Sequence, residues 1–161
     1  MSETIKVFLV DDDLLFAEAS EHFLLSSVDV PLEIYKYQNG KDCLDNLNKQ
    51  PQLLILDYYL EEDTNGIEVL KKIKDYDQDI NVIILTGQDD AKVAHEAINA
   101  GADYLCKSDS AFVKIKKIIL TLEKHKSITQ KLKKEANVYK NINIWVIAIL
   151  IILFILSRIL Q

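Results

Sequence analysis

From Lys6 onward, short apolar runs rich in β-formers alternate with longer stretches whose apolar residues recur at helical spacing. The runs are Val7 to Val10, Ile34 to Tyr37, Leu53 to Leu56, Val82 to Leu85 and Tyr104 to Cys106. Between them Leu15, Ala19 and Phe23 share one helical face, as do Leu44 and Leu47, then Ile67, Leu70 and Ile73, then Val93, Ala97 and Ile98. A final helix follows the fifth run, so the pattern predicts five βα units. Runs such as LLIL and VIIL are apolar at every position, as strands buried on both faces are. The expected fold is therefore α/β: a parallel sheet with helices on both sides, made doubly wound by right-handed crossovers.

The pattern changes near the carboxyl end. Ile142 to Leu160 is apolar all round a helix, and thirteen consecutive apolar residues from Ile144 to Leu156 exceed any two-position heptad seam. Nineteen residues at about 1.5 Å each span roughly 28 Å, close to the hydrocarbon thickness of a bilayer. Arg158 can snorkel to one interface, and Trp145 and Tyr139 stand where an interfacial aromatic belt belongs. Lys131, Lys133, Lys134 and Lys140 precede the segment, which predicts a single membrane pass with the N-terminal part in the cytoplasm. Residues 123–141 read as a polar helical spacer. Its thin apolar line of Ile128, Leu132 and Val138 permits a weak homodimer, although a solvated spacer is the simpler reading. The expected organisation is an α/β domain over 1–122, the spacer over 123–141 and a transmembrane anchor helix over 142–160. Val7 to Val10 is too short for a secretory signal, and three aspartates stop it.

Composition agrees with one domain and an appendage. Of 161 residues 49% are apolar, enough to fill a core, which excludes a disordered or disulfide-framework chain. The net charge of -6 argues against nucleic-acid binding. Its distribution is uneven: residues 1–125 hold 13 Lys and 24 Asp or Glu, giving -11, and residues 126–161 carry +5. Cys43 and Cys106 lie in apolar contexts without a CxxC, as reduced, buried thiols do.

In a doubly wound sheet functional groups gather beyond the carboxyl ends of the strands. Here strand one ends in Asp11, Asp12 and Asp13, strand three in Asp57, strand four in Thr86 and Gly87, and strand five in Lys107. Clustered carboxylates raise one another's pKa unless a cation sits between them, and a hard divalent ion such as Mg²⁺ suits oxygen ligands. A carboxylate can also attack a phosphoryl group to form an acyl phosphate, the equatorial oxygens being neutralised by metal, ammonium and hydroxyl. Each residue alone reads more simply as a helix cap, a turn or an ion pair; their convergence on one sheet edge outweighs that reading. His22, His95 and His125 share no face or strand end and are assigned no metal.

The run VDDD at 10–13, LLILDYYL with Asp57, ILTG with Thr86 and GADYLCKS with Lys107 together resemble the receiver domain of two-component response regulators, over roughly residues 4–122. The resemblance implies a flavodoxin-like five-stranded sheet in the order 2-1-3-4-5. It implies that Asp57 is the phosphoacceptor, charged by a histidine kinase or a histidine phosphotransfer protein, with the receiver assisting its own phosphotransfer. By the same resemblance Asp11 and Asp12 bind Mg²⁺ with Asp57 and the backbone carbonyl of Tyr59. Thr86 is the switch hydroxyl, Lys107 the ammonium, and Tyr104 the aromatic that turns inward on the face formed by the fourth helix, fifth strand and fifth helix.

Several positions depart from the family pattern. Ser108 stands in place of the usual proline, so no cis peptide is expected there. Glu61 replaces a proline four residues after Asp57, the following loop carries Glu62 and Asp63, and GADYL is one residue shorter than the common form. The reading is a membrane-anchored, single-domain response regulator that works by binding an unknown downstream protein, without nucleic-acid binding and without an enzymatic output. A kinase is excluded by the missing Gly-rich nucleotide loop. An aspartate-dependent phosphatase is disfavoured because Tyr58 and Tyr59 follow Asp57, with no acid two residues on. The remaining alternative is a phosphorylation-independent scaffold at the membrane.

Overall fold

The computed structural model describes residues 4–60 and 65–159, with side chains described to Leu153 and at Ile155. The elements run β1 (Ile5–Val10), α1 (Leu14–Ser27), β2 (Leu32–Tyr37), α2 (Gly40–Asp45), a 3-10 turn (Leu47–Lys49), β3 (Leu53–Asp57), α3 (Gly66–Tyr76), β4 (Asn81–Thr86), α4 (Ala91–Asn99), β5 (Asp103–Cys106) and α5 (Asp109–Ile159). The five strands form one parallel sheet in the order β2-β1-β3-β4-β5, as the resemblance implied. Both β1 and β2 begin two residues before their predicted starts. The chain divides after Glu123 into two units, 1–123 and 124–161, and each is described by itself.

In the first unit, alternation along β3 sets the two cores. Leu54 and Leu56 face one side with Phe8, Val10, Val82 and Ile84, under Cys43 of α2, Leu70 and Ile73 of α3 and Ala97 of α4. Leu53 and Ile55 face the other with Val7, Leu9, Ile83 and Leu85, under Leu24 of α1 and Ala111, Ile115 and Ile119 of α5. Burial on both faces is why these strands carry no polar alternation. Asp13 ends β1 and starts α1: its Oδ1 accepts from the Leu15 and Phe16 backbone N–H groups, satisfying two donors that a helix leaves open. Asn39 and Asn65 cap α2 and α3 by accepting one N–H each, from Asp42 and Glu68, and Asp90 caps α4 by accepting from Lys92 and Val93.

Two helix faces differ from expectation. In α1 the buried residues are Ala17, Ser20 and Leu24, with Phe16 and Phe23 packed beside them, whereas Leu15 is 78% exposed and Ala19 is exposed. Residues 14–17 are all apolar, so periodicity left the phase of the helix open and the Asp13 cap sets it. In α4 Val93 and Ala97 are buried but Ile98 is 63% exposed, because Ala97 and Ala102 take the places against the sheet. Cys43 is buried as expected; Cys106, at the end of an outer strand, is only partly so. Burial pushes the Cys43 thiol from its ordinary 9.0 up to about 12.

The second unit is the remainder of α5. Ile128, Leu132, Val138 and Tyr139 are exposed, and so is every described apolar side chain from Ile142 to Ile155 except Ala148, Trp145 reaching 70%. This helix is long and apolar enough to cross a membrane. The side chain of Arg158 and the residue Leu160, to which snorkelling and the end of the span were assigned, lie outside the described residues, as does the acidic loop Glu61, Glu62 and Asp63.

Candidate functional site

The order of strands opens a crevice between the carboxyl ends of β1 and β3, where the crossovers diverge to opposite sides of the sheet. Asp11 follows β1 and Asp57 closes β3, and they are only 5% and 6% exposed. Carboxylate oxygens of Asp11, Asp12 and Asp57 lie within 4.8 Å of one another. From across the sheet the Lys107 Nζ reaches Asp11 Oδ2 at 2.8 Å and Asp57 Oδ2 at 2.9 Å. Its backbone N–H donates to the Thr86 carbonyl at 2.7 Å, continuing the β4–β5 ladder and fixing where the side chain starts.

The charges are partly withdrawn from water, which sets their acidities. Burial raises the Asp11 carboxyl above its ordinary value, and the hydrogen bond and charge of Lys107 oppose that without cancelling it. Burial acts to lower the Lys107 ammonium, yet its bonds to Asp11 and Asp57 outweigh this and its pKa is raised. Three carboxyl groups face one ammonium in the crevice. Such an all-oxygen donor set fits a hard divalent cation such as Mg²⁺, and such an ion would favour the ionised form of Asp11.

Backbone contacts hold the Asp57 strand end. The Tyr58 N–H donates to the Leu85 carbonyl at 3.0 Å, and the Gly66 N–H to the Tyr58 carbonyl at 2.9 Å. A Cβ at Gly66 would stand 2.5 Å from the Asp57 carbonyl oxygen, so this close approach requires glycine. The Tyr59 N–H approaches Asp57 Oδ1 at 3.4 Å, and its exposed ring packs edge-on against Tyr58.

Thr86 is buried at the end of β4, its Oγ1 facing the Gln88 N–H at 3.4 Å. The half-buried Tyr104 hydroxyl donates to the Gln88 carbonyl at 3.1 Å and accepts from the Asp90 N–H at 2.9 Å. Thr86 and Tyr104 therefore meet on one loop. Before β5, in the GADYL stretch, Gly101 takes a φ of 82° and the Ala102 N–H donates to the Ala97 carbonyl. Ser108, in place of proline, donates its hydroxyl to the Cys106 carbonyl at 3.2 Å, and among the described residues no peptide bond is cis.

The predicted Asp11, Asp12, Asp57 and Lys107 thus share one crevice, Thr86 closes β4 at the same sheet edge, and Tyr104 stands beside the loop that follows Thr86. Sequence reasoning missed Phe16 and Gln88. Phe16 was hidden by the uniform apolarity of residues 14–17, and Gln88 carries no chemistry that a motif would mark.

A family model for the response regulator receiver domain matches residues 7–119. The chain belongs to that family. As a receiver domain of a two-component response regulator, it is of a kind that takes phosphoryl groups from histidine kinases and typically binds Mg²⁺ at an acidic cluster. Among relatives, the transcriptional regulatory protein CrdR of Helicobacter pylori is 35% identical over 105 residues, covering 63% of this chain and 47% of that protein. The response regulator protein VraR of Staphylococcus aureus is 31% identical over 110 residues, covering 67% and 52%. The receiver chain spans about half the length of these curated relatives. Among solved structures, a signal receiver domain described as that of a Luxo repressor protein from Vibrio parahaemolyticus superposes with a TM-score of 0.68 at 26% identity, covering 81% of this chain and 98% of that one.

Proposed function

We propose that this chain is a membrane-anchored response regulator whose Asp57 accepts a phosphoryl group from a histidine kinase or histidine phosphotransfer protein, and that phosphorylation controls its binding to a downstream protein. The observation that carries the reading is the buried Asp57 carboxylate, bonded to Lys107 and sharing its crevice with Asp11 and Asp12. A carboxylate oxygen of Asp57 attacks phosphorus, the P–N bond of the phosphohistidine breaks, and the leaving imidazole keeps its electron pair and is protonated from solvent. Asp11, Asp12, Asp57 and the Tyr59 carbonyl would hold Mg²⁺, which supplies neutralisation of the phosphoryl oxygens when bound. Lys107 exchanges its bond to Asp57 for one to a phosphoryl oxygen, and Thr86 turns its hydroxyl towards another.

Turning Thr86 releases its contact with Gln88, whose carbonyl the Tyr104 hydroxyl holds, so the change passes to the start of α4. The chain assists this transfer to itself and is not an enzyme acting on a separate substrate. Anchoring is supported by the exposed apolar helix and the lysines before it, which keep the receiver cytoplasmic and near a membrane kinase.

The test is intact mass after incubation with Mg²⁺ and acetyl phosphate. Wild type should gain one phosphoryl group and lose that gain when the metal is chelated, and Asp57→Ala should gain none. Equal gain in both proteins, or none in wild type, contradicts the assignment.

A further inference from the structure

The Lys107 ammonium has a third neighbour that the phosphotransfer reading leaves unused. Its Nζ lies 4.3 Å from the centroid of the Phe16 ring while it bonds both Asp11 and Asp57. The ring is itself held in place. The Asp13 cap takes the Phe16 N–H at 3.1 Å, Ser20 donates its hydroxyl to the Phe16 carbonyl at 2.7 Å, and the ring packs against Phe112 of α5 at 5.9 Å, which in turn meets Phe23 at 5.0 Å. The neighbouring Leu14 and Leu15 are exposed, so α1 turns one aromatic residue of its first turn towards the site.

We propose that Phe16 is a positioning residue for Lys107: the face of its ring holds the ammonium beside the Asp57 carboxylate, so the charge is already in place when the phosphoryl group arrives. A lysine stem has four rotatable bonds, and when Asp57 is phosphorylated the ammonium exchanges its bond to that carboxylate for one to a phosphoryl oxygen. A ring face attracts the cation throughout that exchange, whereas an aliphatic side chain of similar volume fills the space without attracting it. The arrangement also ties the ammonium to α5 through Phe112.

This inference rests on Asp57 being the phosphoacceptor, and the experiment separates the two. The full chain in detergent micelles is phosphorylated with Mg²⁺ and acetyl phosphate as wild type, Phe16→Leu and Phe16→Tyr. Phe16→Leu should lower the rate at saturating donor by about two- to five-fold with the donor KM unchanged, and Phe16→Tyr should restore it. A wild-type rate in Phe16→Leu, or an equal loss in Phe16→Tyr, overturns the proposal. The second measurement needs no phosphorylation. With ε-carbon-labelled lysine, the ring current of Phe16 should shift the Lys107 ε-proton resonance upfield in wild type and Phe16→Tyr and not in Phe16→Leu. An unshifted wild-type resonance overturns the assignment of Phe16 whatever the kinetics; a shifted one in a protein that takes up no phosphate supports the contact while removing the phosphoacceptor reading.

Discussion

Leu53 to Leu56 and Ile149 to Ile152 are both runs of four aliphatic residues, LLIL and ILII, and the protein uses them in opposite ways. The first is a central strand whose side chains are almost wholly buried between two layers of helices; the second is one turn of a helix whose side chains are all exposed. Composition does not separate them, but their surroundings do. Pro51 precedes the first run by two residues and Asp57 closes it, a length that suits a strand. The second sits within the nineteen-residue stretch from Ile142 to Leu160 with lysines before it, a length that suits a bilayer. One apolar surface is covered by the fold and the other is left exposed.

The largest effect that tests this contrast is removal of residues 142–161. The truncated protein should leave the membrane fraction completely and keep its uptake of one phosphoryl group; a truncated protein still sedimenting with membranes would remove the anchor. Next comes one substitution made in both regions. Ile83→Ala should cost about 2–5 kcal/mol of receiver stability in chemical denaturation, since it leaves a cavity in the core between the sheet and α1 and α5, whereas Ile149→Ala should change it by less than ~0.5 kcal/mol. Similar losses would show that the tail is packed against something in the folded chain.

Gly66→Ala sharpens the picture inside the receiver. Its new Cβ meets the Asp57 carbonyl oxygen at 2.5 Å, and moving that backbone should cost about 1–3 kcal/mol and slow phosphorylation as well. The smallest effect at neutral pH belongs to Cys43. Its thiol is raised from 9.0 to about 12 in the fold, so the native state keeps a proton that the unfolded chain releases. The stability this contributes is complete below about pH 9 and declines as pH rises towards 12, by at most ~1.4 kcal/mol per pH unit. Denaturation of wild type and Cys43→Ala between pH 8 and 11 measures it; equal slopes would contradict the burial of that thiol.

Much of this was legible in the sequence. The five strands were marked by apolar runs ending in polar residues, and the site was legible because the topology gathers strand ends, so Asp11, Asp57, Thr86 and Lys107 could be placed together without coordinates. Helix phase was less legible where a whole turn is apolar, as at residues 14–17, and there the hydrogen bonds that Asp13 accepts from the Leu15 and Phe16 N–H groups decided which side chain entered the site. Ile98 was misplaced for a related reason: Ala97 beside it is smaller and approaches the sheet more closely. Contacts among nonadjacent side chains, such as Lys107 over Phe16, have no periodic signal and required the structure.

The central claim is that one chain joins a phosphorylatable receiver to a membrane. The most direct measurement reconstitutes the full chain into phospholipid vesicles, incubates them with Mg²⁺ and acetyl phosphate, floats them through a density gradient and weighs the protein in each fraction. The account predicts that the protein floats with the vesicles and carries one phosphoryl group on Asp57. Protein that remains at the bottom of the gradient, or that floats without ever taking up phosphate, would contradict it.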